Sequence, residues 1–321
     1  MSPHHASVLT YLDTLFDGFV DQLAKKLQPL ARDLPRRFGL TSTANLPWSR
    51  APGNPVALGL PILLLADSDR PSDTTTAHAA GLAHLLAVIG AQGIARVDAG
   101  YIAANSQVAT LLQQVKRARN AALAELSPGP GAMTWGWAER QTWGAVIEQR
   151  SVFRGATPAT WQHYAAISAK KQSFWFPACL AASRAGRWRA VDRERVRTLV
   201  MGAALGLQYR KDVVDWQKSH ARGAAWAVAL LGESGPSVAV ERRLHAARIL
   251  VRMLDRSVDA FTQACTAATE LGAIRLGEWA SEQARETSEL ARNEASTPGY
   301  TARWGEQRAY DRVRTPLASG G

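Results

Sequence analysis

The sequence predicts an all-α fold, a large single-domain helical bundle, and three observations support this prediction. Ala, Leu, Arg, Gln and Glu dominate the long segments, and apolar residues recur at three- and four-residue spacings. No segment alternates apolar and polar residues for long enough to form a strand. With 46% hydrophobic residues in a chain of 321, there is enough apolar surface for a sizeable core, which excludes a disordered chain.

Apolar stripes between breaker residues predict about nine or ten helices. Pro61 suits the first turn of a helix, because its missing N–H has no helical partner at that position. Pro177 predicts a kink, and the residues from Pro298 onward, rich in Gly, Arg and Ser, predict a flexible tail or flap after an all-α domain over 1–297. The predicted helices are 8–27, 56–66, 78–104, 108–126, 135–153, 161–185, 191–219, 224–231, 238–271 and 273–294.

Cysteine usage and hydropathy indicate a soluble chain in a reducing, cytoplasmic setting. The two cysteines, Cys179 and Cys265, are too few for a disulfide framework. No run of about 18–20 uncharged apolar residues is present, so we expect no membrane span. The first residues show no basic region followed by an apolar one, so no secretory signal is expected.

The net charge of +11 fits a protein that binds nucleic acid or a small polyanion such as a diphosphate. The arginines are scattered through helical segments and do not gather beside a nucleic-acid-binding motif. Solvated helix surface explains part of the excess. We therefore predict no nucleic-acid partner.

The segment 205–219 holds the most informative spacing of the chain. Asp212 and Asp215 are three residues apart, and Lys211, Asp215 and Ser219 follow at steps of four, so a helix places these groups on one face. Two carboxylates in this arrangement can hold Mg²⁺, which prefers oxygen ligands and shares them with substrate phosphates. The alternative from spacing alone is an exposed helix face with ordinary aspartates.

This segment resembles the second aspartate-rich motif of the trans-isoprenoid diphosphate synthases, which are relatives of the class I terpene synthases. Gln208, Asp212 and Asp215 match the motif, whereas Lys211 stands where its first aspartate belongs. The resemblance in helix order covers about 58–231. It implies the isoprenoid-synthase type of helical bundle.

A second stretch, 167–174, resembles the helix of these enzymes that supplies a diphosphate-binding lysine. Either Lys170 or Lys171 is the equivalent residue, and a solvated helix face is the alternative. Two departures from the motifs of these enzymes argue against ordinary chain elongation. Of the first aspartate-rich motif only Asp98 remains, and of the basic pattern for the second diphosphate only Arg50 remains.

The resemblance implies an atypical class I terpene synthase or prenyltransferase that ionises an allylic prenyl diphosphate with the help of Mg²⁺. The residues expected to hold the metal are Asp212, Asp215 and Ser219, with Asp98 facing them across a cavity. The residues expected to neutralise the departing diphosphate are Lys170, Lys171, Arg210 and Lys211.

Tryptophan is frequent, and an indole face stabilises a carbocation through its quadrupole. Trp175 is the preferred candidate for this role because it follows Lys171 by about one helical turn. The alternative is that the tryptophans fill a helical core or a subunit interface.

The alternative function is a protein that keeps the fold, has lost catalysis, and serves as a prenyl diphosphate-binding or partner subunit. The loss of all but Asp98 from the first aspartate-rich motif favours this alternative. A homodimer is expected from the family resemblance alone.

Overall fold

The computed structural model describes residues 3–50, 54–67, 73–98, 102–126, 130–185, 188–232 and 237–314. Within these ranges every regular element is a helix and no β-strand forms, which confirms the predicted all-α class. The α-helices of the described residues are α1 (Pro3–Asp21), α2 (Gln28–Arg32), α3 (Leu34–Arg37), α4 (Leu60–Ala66), α5 (Thr74–Asp98), α6 (Ser106–Leu126), α7 (Pro130–Phe153), α8 (Trp161–Lys171), α9 (Phe176–Ala185), α10 (Ala190–Val214), α11 (Trp216–His220), α12 (Trp226–Leu231), α13 (Ser237–Ala246), α14 (Ile249–Leu271), α15 (Ile274–Ser296) and α16 (Tyr300–Arg314).

The helices fall into two compact units. One unit comprises Met1–Gly136, Phe174–Arg193 and Arg308–Gly321, and the other comprises Trp137–Ser173 and Glu194–Gln307. Each unit has its own buried side chains.

Helix α5 is the central helix of the first unit and packs against α1, α4, α6 and α9. Its side chains Leu85, Leu86 and Ile89 are fully buried. The stretch Thr74–Val97 is long and apolar enough to cross a membrane by length and composition, which the sequence interpretation did not anticipate. Because 61% of its most apolar window is buried by neighbouring helices, it has the character of a core helix.

The second unit contains the long helix pair α14 and α15, and the part of α10 around Gly202 and Gly206 packs against α14. Gly202 and Gly206, one turn apart on α10, permit a close approach to α14. A Cβ at Gly202 would lie 2.5 Å from the carbonyl oxygen of Ala260, and one at Gly206 would lie 2.8 Å from ring carbons of Phe261. The Ser257 hydroxyl also donates to the Gly206 carbonyl over 2.7 Å.

Several segments that the sequence predicts as one helix are divided. The predicted helix 161–185 becomes α8, a 3₁₀ turn over Gln172–Trp175 and α9, because Pro177 lacks an N–H and its ring crowds the carbonyl four residues earlier. The predicted helix 238–271 is interrupted before α14 by Arg248, whose φ of 53° lies in the left-handed region. In contrast, Pro61 lies in the first turn of α4, as expected.

Residues Tyr300–Arg314 form helix α16, where the sequence favours a tail or flap. The end of the chain from 315 lies outside the described residues, so the mobility of this region and the domain boundary at 297 stay predictions.

Both cysteines are free thiols. Cys179 is fully buried in α9, and this burial raises the pKa of its thiol well above its ordinary value. Cys265 lies on α14 and is partly exposed.

Candidate functional site

The side chain of Asp212 is held by a hydrogen-bond network inside the second unit. One carboxylate oxygen, Oδ1, accepts a hydrogen bond from Gln208 Nε2, one turn earlier on α10, over 2.7 Å. The other oxygen, Oδ2, accepts one from the hydroxyl of Tyr164 on α8 over 3.1 Å. Gln172 Nε2 donates to Gln208 Oε1 over 2.8 Å and extends the network. Both oxygens of this predicted metal ligand are therefore engaged by this chain.

An aromatic cluster surrounds the ring of Tyr164. Its centroid lies 5.1 Å from that of Tyr209 and 4.9 Å from that of Trp226, which in turn contacts Phe153 at 5.2 Å. Burial, followed by the negative charge of Asp212, raises the pKa of Tyr164 well above its ordinary value. The hydroxyl thus remains protonated at neutral pH and acts as a donor.

Asp215 lies at an interruption between α10 and α11, so the prediction of one continuous helix over 191–219 is wrong at this residue. The helical hydrogen bonds nevertheless continue: Asp215 N donates to Lys211 O, and Ser219 N donates to Asp215 O, both over 2.9 Å. Lys211, Asp215 and Ser219 therefore keep the common face that their spacing predicts. On it, Lys211 Nζ forms an ion pair with Asp215 Oδ2 at 3.3 Å.

Lys170 and Lys171 contact acceptors on α7. Lys170 Nζ lies 2.8 and 3.1 Å from the two carboxylate oxygens of Glu148, and Lys171 Nζ donates to Gln149 Oε1 over 3.0 Å. The structure therefore brings both candidate lysines to the α7–α8 contact, and their role toward a diphosphate stays a prediction.

Arg210 is buried between α10 and α15 in the second unit. Its guanidinium donates to Glu286 Oε2 over 3.0 Å, to Gln283 Oε1 over 2.7 Å and to Thr287 Oγ1 over 3.3 Å. Only 8% of its side chain is exposed. These contacts pack Arg210 against α15, and its predicted binding of a diphosphate stays a prediction.

Trp175 lies in the interior of the first unit, 7% exposed. Its ring meets the edge of His84 with centroids 5.3 Å apart, and Phe174 lies 6.0 Å away. His84 Nε2 is 3.1 Å from the carbonyl oxygen of Ala57, and complete burial lowers the pKa of His84 to about 4. Trp175 is thus packed in a core, and a contribution to carbocation stabilisation stays a prediction.

Asp98 is the last residue of α5, and its side chain lies outside the described residues. The predicted contact of its carboxylate with the other aspartates is therefore not described.

The donor set around Asp212 and Asp215 does not fit a magnesium site of the kind that the resemblance implies. Mg²⁺ requires near-octahedral oxygen ligands. Asp212 accepts a hydrogen bond at each oxygen, and Asp215 is paired with the ammonium of Lys211. Throughout the part of the chain that the structure describes, no three His, Cys, Asp or Glu side chains converge on one point.

Tyr164 and Gln172 belong to this site, and neither was predicted from the sequence. A helical signal for Tyr164 was present, because it precedes Lys171 by seven residues, or two turns, and so shares a helix face with it. Gln172 carries no such signal, since it lies where α8 gives way to a 3₁₀ turn.

The fold is similar to that of two solved prenyl synthases. The octaprenyl pyrophosphate synthase from Helicobacter pylori is 12% identical, with a TM-score of 0.61 over 88% of this chain and 99% of that one. The polyprenyl synthase from Caulobacter crescentus CB15, solved with calcium and isoprenyl diphosphate, is 13% identical, with a TM-score of 0.61 over 88% of this chain and 97% of that one. No protein-family model and no curated protein sequence matches the chain.

The chain therefore has the isoprenoid synthase fold, as the motif resemblance implies. At 12–13% identity this similarity establishes the fold, while the activity and the ligand belong to the proposal that follows.

Proposed function

We propose that this chain binds a prenyl diphosphate through its isoprenoid synthase fold and serves as a binding or partner subunit without ionising the ligand. The observation that carries the proposal is the pairing of the predicted catalytic groups. Asp212 is engaged by Gln208 and Tyr164, and Asp215 is engaged by Lys211. The ammonium beside Asp215 opposes a metal cation, and among the described residues no third His, Cys, Asp or Glu side chain converges on these two carboxylates.

The ligand class is supported by the fold. The two similar structures are named as prenyl synthases, and one of them contains isoprenyl diphosphate. This chain covers 99% and 97% of the lengths of these two structures, which supports testing a ligand of the same class. A prenyl diphosphate is therefore the ligand to test first.

The second candidate is the enzyme that the sequence motif implies, an atypical class I terpene synthase or prenyltransferase with metal-assisted ionisation. The retained common face of Lys211, Asp215 and Ser219 favours it. For this candidate, Asp212 binds the metal with the lone pairs that its hydrogen bonds from Gln208 and Tyr164 leave free.

The purified protein should be incubated with prenyl diphosphates of several chain lengths, with Mg²⁺ or with EDTA. Released diphosphate, organic products and the melting temperature are measured together. We expect thermal stabilisation by the ligand and no release of diphosphate in either condition. Release that requires Mg²⁺ and is lost in an Asp212→Ala, Asp215→Ala double variant would establish the enzyme. If the ligand neither raises the melting temperature nor releases diphosphate, both candidates are wrong.

The cytoplasmic location and the homodimer stay predictions. Sedimentation analysis of the purified chain tests the second of them.

A further inference from the structure

Two arginines of α14 converge on one tryptophan in the second unit. Arg252 and Arg256 are one turn apart, a spacing that puts their Cβ atoms about 5–6 Å from each other. Both guanidinium carbons lie over the ring of Trp161, at 4.4 Å and 5.1 Å from its centroid. Trp161 is the first residue of α8, and the Thr160 side chain caps this helix by accepting from the backbone N–H of His163.

These two guanidinium groups have no carboxylate partner among the described residues, in contrast to several other arginines of the second unit. Within the described ranges, Arg195 pairs with Glu270, Arg285 with Glu289 and Arg210 with Glu286, but no ion pair involves Arg252 or Arg256. The neighbouring acids of the same helix are Asp255 and Asp259. Neither lies within ion-pair distance of the two arginines, and Asp255 instead interacts electrostatically with Arg248.

The arginine pair also adjoins the Asp212 network. Burial raises the pKa of Tyr164 and that of Tyr209, and the positive charge of Arg256 acts against this increase at both hydroxyls. Arg256 is therefore within electrostatic range of the tyrosine that donates to Asp212. Arg252 is exposed and Arg256 is half-buried, so an anion from solvent can reach both groups.

We propose that Arg252 and Arg256, held against Trp161, form an anion subsite that takes the diphosphate group of the ligand without a metal ion. This inference rests on the proposed function and names the residues that recognise its ligand. Arginine presents five N–H donors in a planar fork that matches phosphate oxygens. Stacking on Trp161 orders two otherwise flexible side chains before binding, which lowers the entropy that binding costs.

The subsite also explains how a diphosphate is neutralised when the predicted cations are engaged elsewhere. Lys170 pairs with Glu148, Lys211 with Asp215, and Arg210 with Glu286. An anion that bound at those three cations would compete with a carboxylate, and Lys171 donates to the neutral Gln149, whereas Arg252 and Arg256 form no ion pair among the described residues.

Isothermal titration calorimetry of the full chain in EDTA tests the inference with three probes, namely inorganic diphosphate, farnesyl diphosphate and farnesol. The variant is Arg252→Gln with Arg256→Gln. The control is Arg197→Gln with Arg285→Gln, which removes the same charge from two exposed arginines. We expect the Arg252→Gln, Arg256→Gln variant to bind both diphosphate probes at least tenfold more weakly than wild type. The control variant should change these affinities less than twofold. Arg252→Lys with Arg256→Lys should give an intermediate loss, and Trp161→Leu a loss of about threefold.

Unchanged diphosphate affinity in the Arg252→Gln, Arg256→Gln variant overturns the inference. An equal loss of affinity in the control variant also overturns it, because the binding would then depend on general charge attraction. If farnesyl diphosphate binds equally to wild type and variant, the proposed function stands and this subsite is wrong. If inorganic diphosphate binds through the two arginines while farnesyl diphosphate and farnesol do not bind, the anion site stands and the proposed function is wrong. Circular dichroism of each variant confirms that the helices are intact.

Discussion

The hydroxyl of Tyr164 donates a hydrogen bond to Asp212 Oδ2 over 3.1 Å, and this contact joins α8 to the end of α10. It places a neutral donor against the carboxylate that best matches the aspartate-rich motif. The same carboxylate accepts from Gln208 at its other oxygen, so its surroundings are those of a packed polar network.

Replacing Tyr164 by Phe is expected to lower the free energy of unfolding by about 1.5–3 kcal/mol, because a buried hydrogen bond to a charged group is lost. Tyr300→Phe is the matched control. It removes the hydroxyl of a half-buried tyrosine whose ring packs on the same core and whose hydroxyl has no partner among the described residues. Urea denaturation of both variants measures the difference, and equal losses would contradict the role of the Asp212 contact.

Arg210→Met is expected to destabilise the fold by about 3 kcal/mol, since it leaves the buried acceptors of α15 without their donor. Arg285→Met, which breaks an exposed pair with Glu289 on the same helix, should change stability by less than about 0.5 kcal/mol. Chemical denaturation of the two variants makes the comparison. A small effect of the Arg210 variant would mean that the guanidinium is held less tightly than its three partners indicate.

Gly202→Ala is expected to destabilise by about 1–3 kcal/mol, because the new methyl group would meet the backbone of α14. Gly144 lies in the interior of α7, and a Cβ there has no atom within 4 Å. Gly144→Ala should therefore stabilise the chain, by up to about 1 kcal/mol, through helix propensity alone. Opposite shifts in melting temperature are the expected result, and a stabilising Gly202→Ala would contradict the close approach of α10 to α14.

Stability should fall with acidification because of His84. Its folded-state pKa of about 4 lies below the ordinary 6.5, so the unfolded chain takes up the proton first as the pH falls through this window. The stability that the neutral His84 contributes above pH 6.5 is therefore lost progressively as the pH falls toward 4. The loss reaches about 2 kcal/mol at pH 5.

The His84 contribution is measured as the difference between wild type and His84→Gln, because the other titrating groups are common to both proteins. Urea denaturation at pH 7.5 and pH 5 should show a larger loss for wild type. Equal losses would mean that His84 accepts a proton without leaving its buried position.

The helical class and many helix positions were predictable because they depend on local chemistry. The first turn at Pro61 is an example, since the residue itself sets the backbone geometry. The break at Arg248 was not predictable, because a non-glycine residue with positive φ gives no signal in the sequence.

The candidate site also has one part that was predictable from the sequence and one part that was not. The common face of Lys211, Asp215 and Ser219 follows from helix geometry and was predicted. The partners of Asp212 and Lys170 were not, because Tyr164 and Asp212 are separated by 48 residues, and Lys170 and Glu148 by 22. Such contacts depend on how distant helices pack, which periodicity within one segment does not determine.

Only one of the two free thiols is a practical point for attaching a label or a surface. Cys179 is buried, and its raised pKa keeps it as an unreactive thiol, whereas Cys265 is partly exposed on α14. Nine residues separate Cys265 from Arg256, which is two and a half helical turns, so the two side chains leave opposite sides of the helix. Maleimide–biotin at Cys265 would anchor the native chain to a sensor surface with the arginine pair directed away from it, without any engineered cysteine.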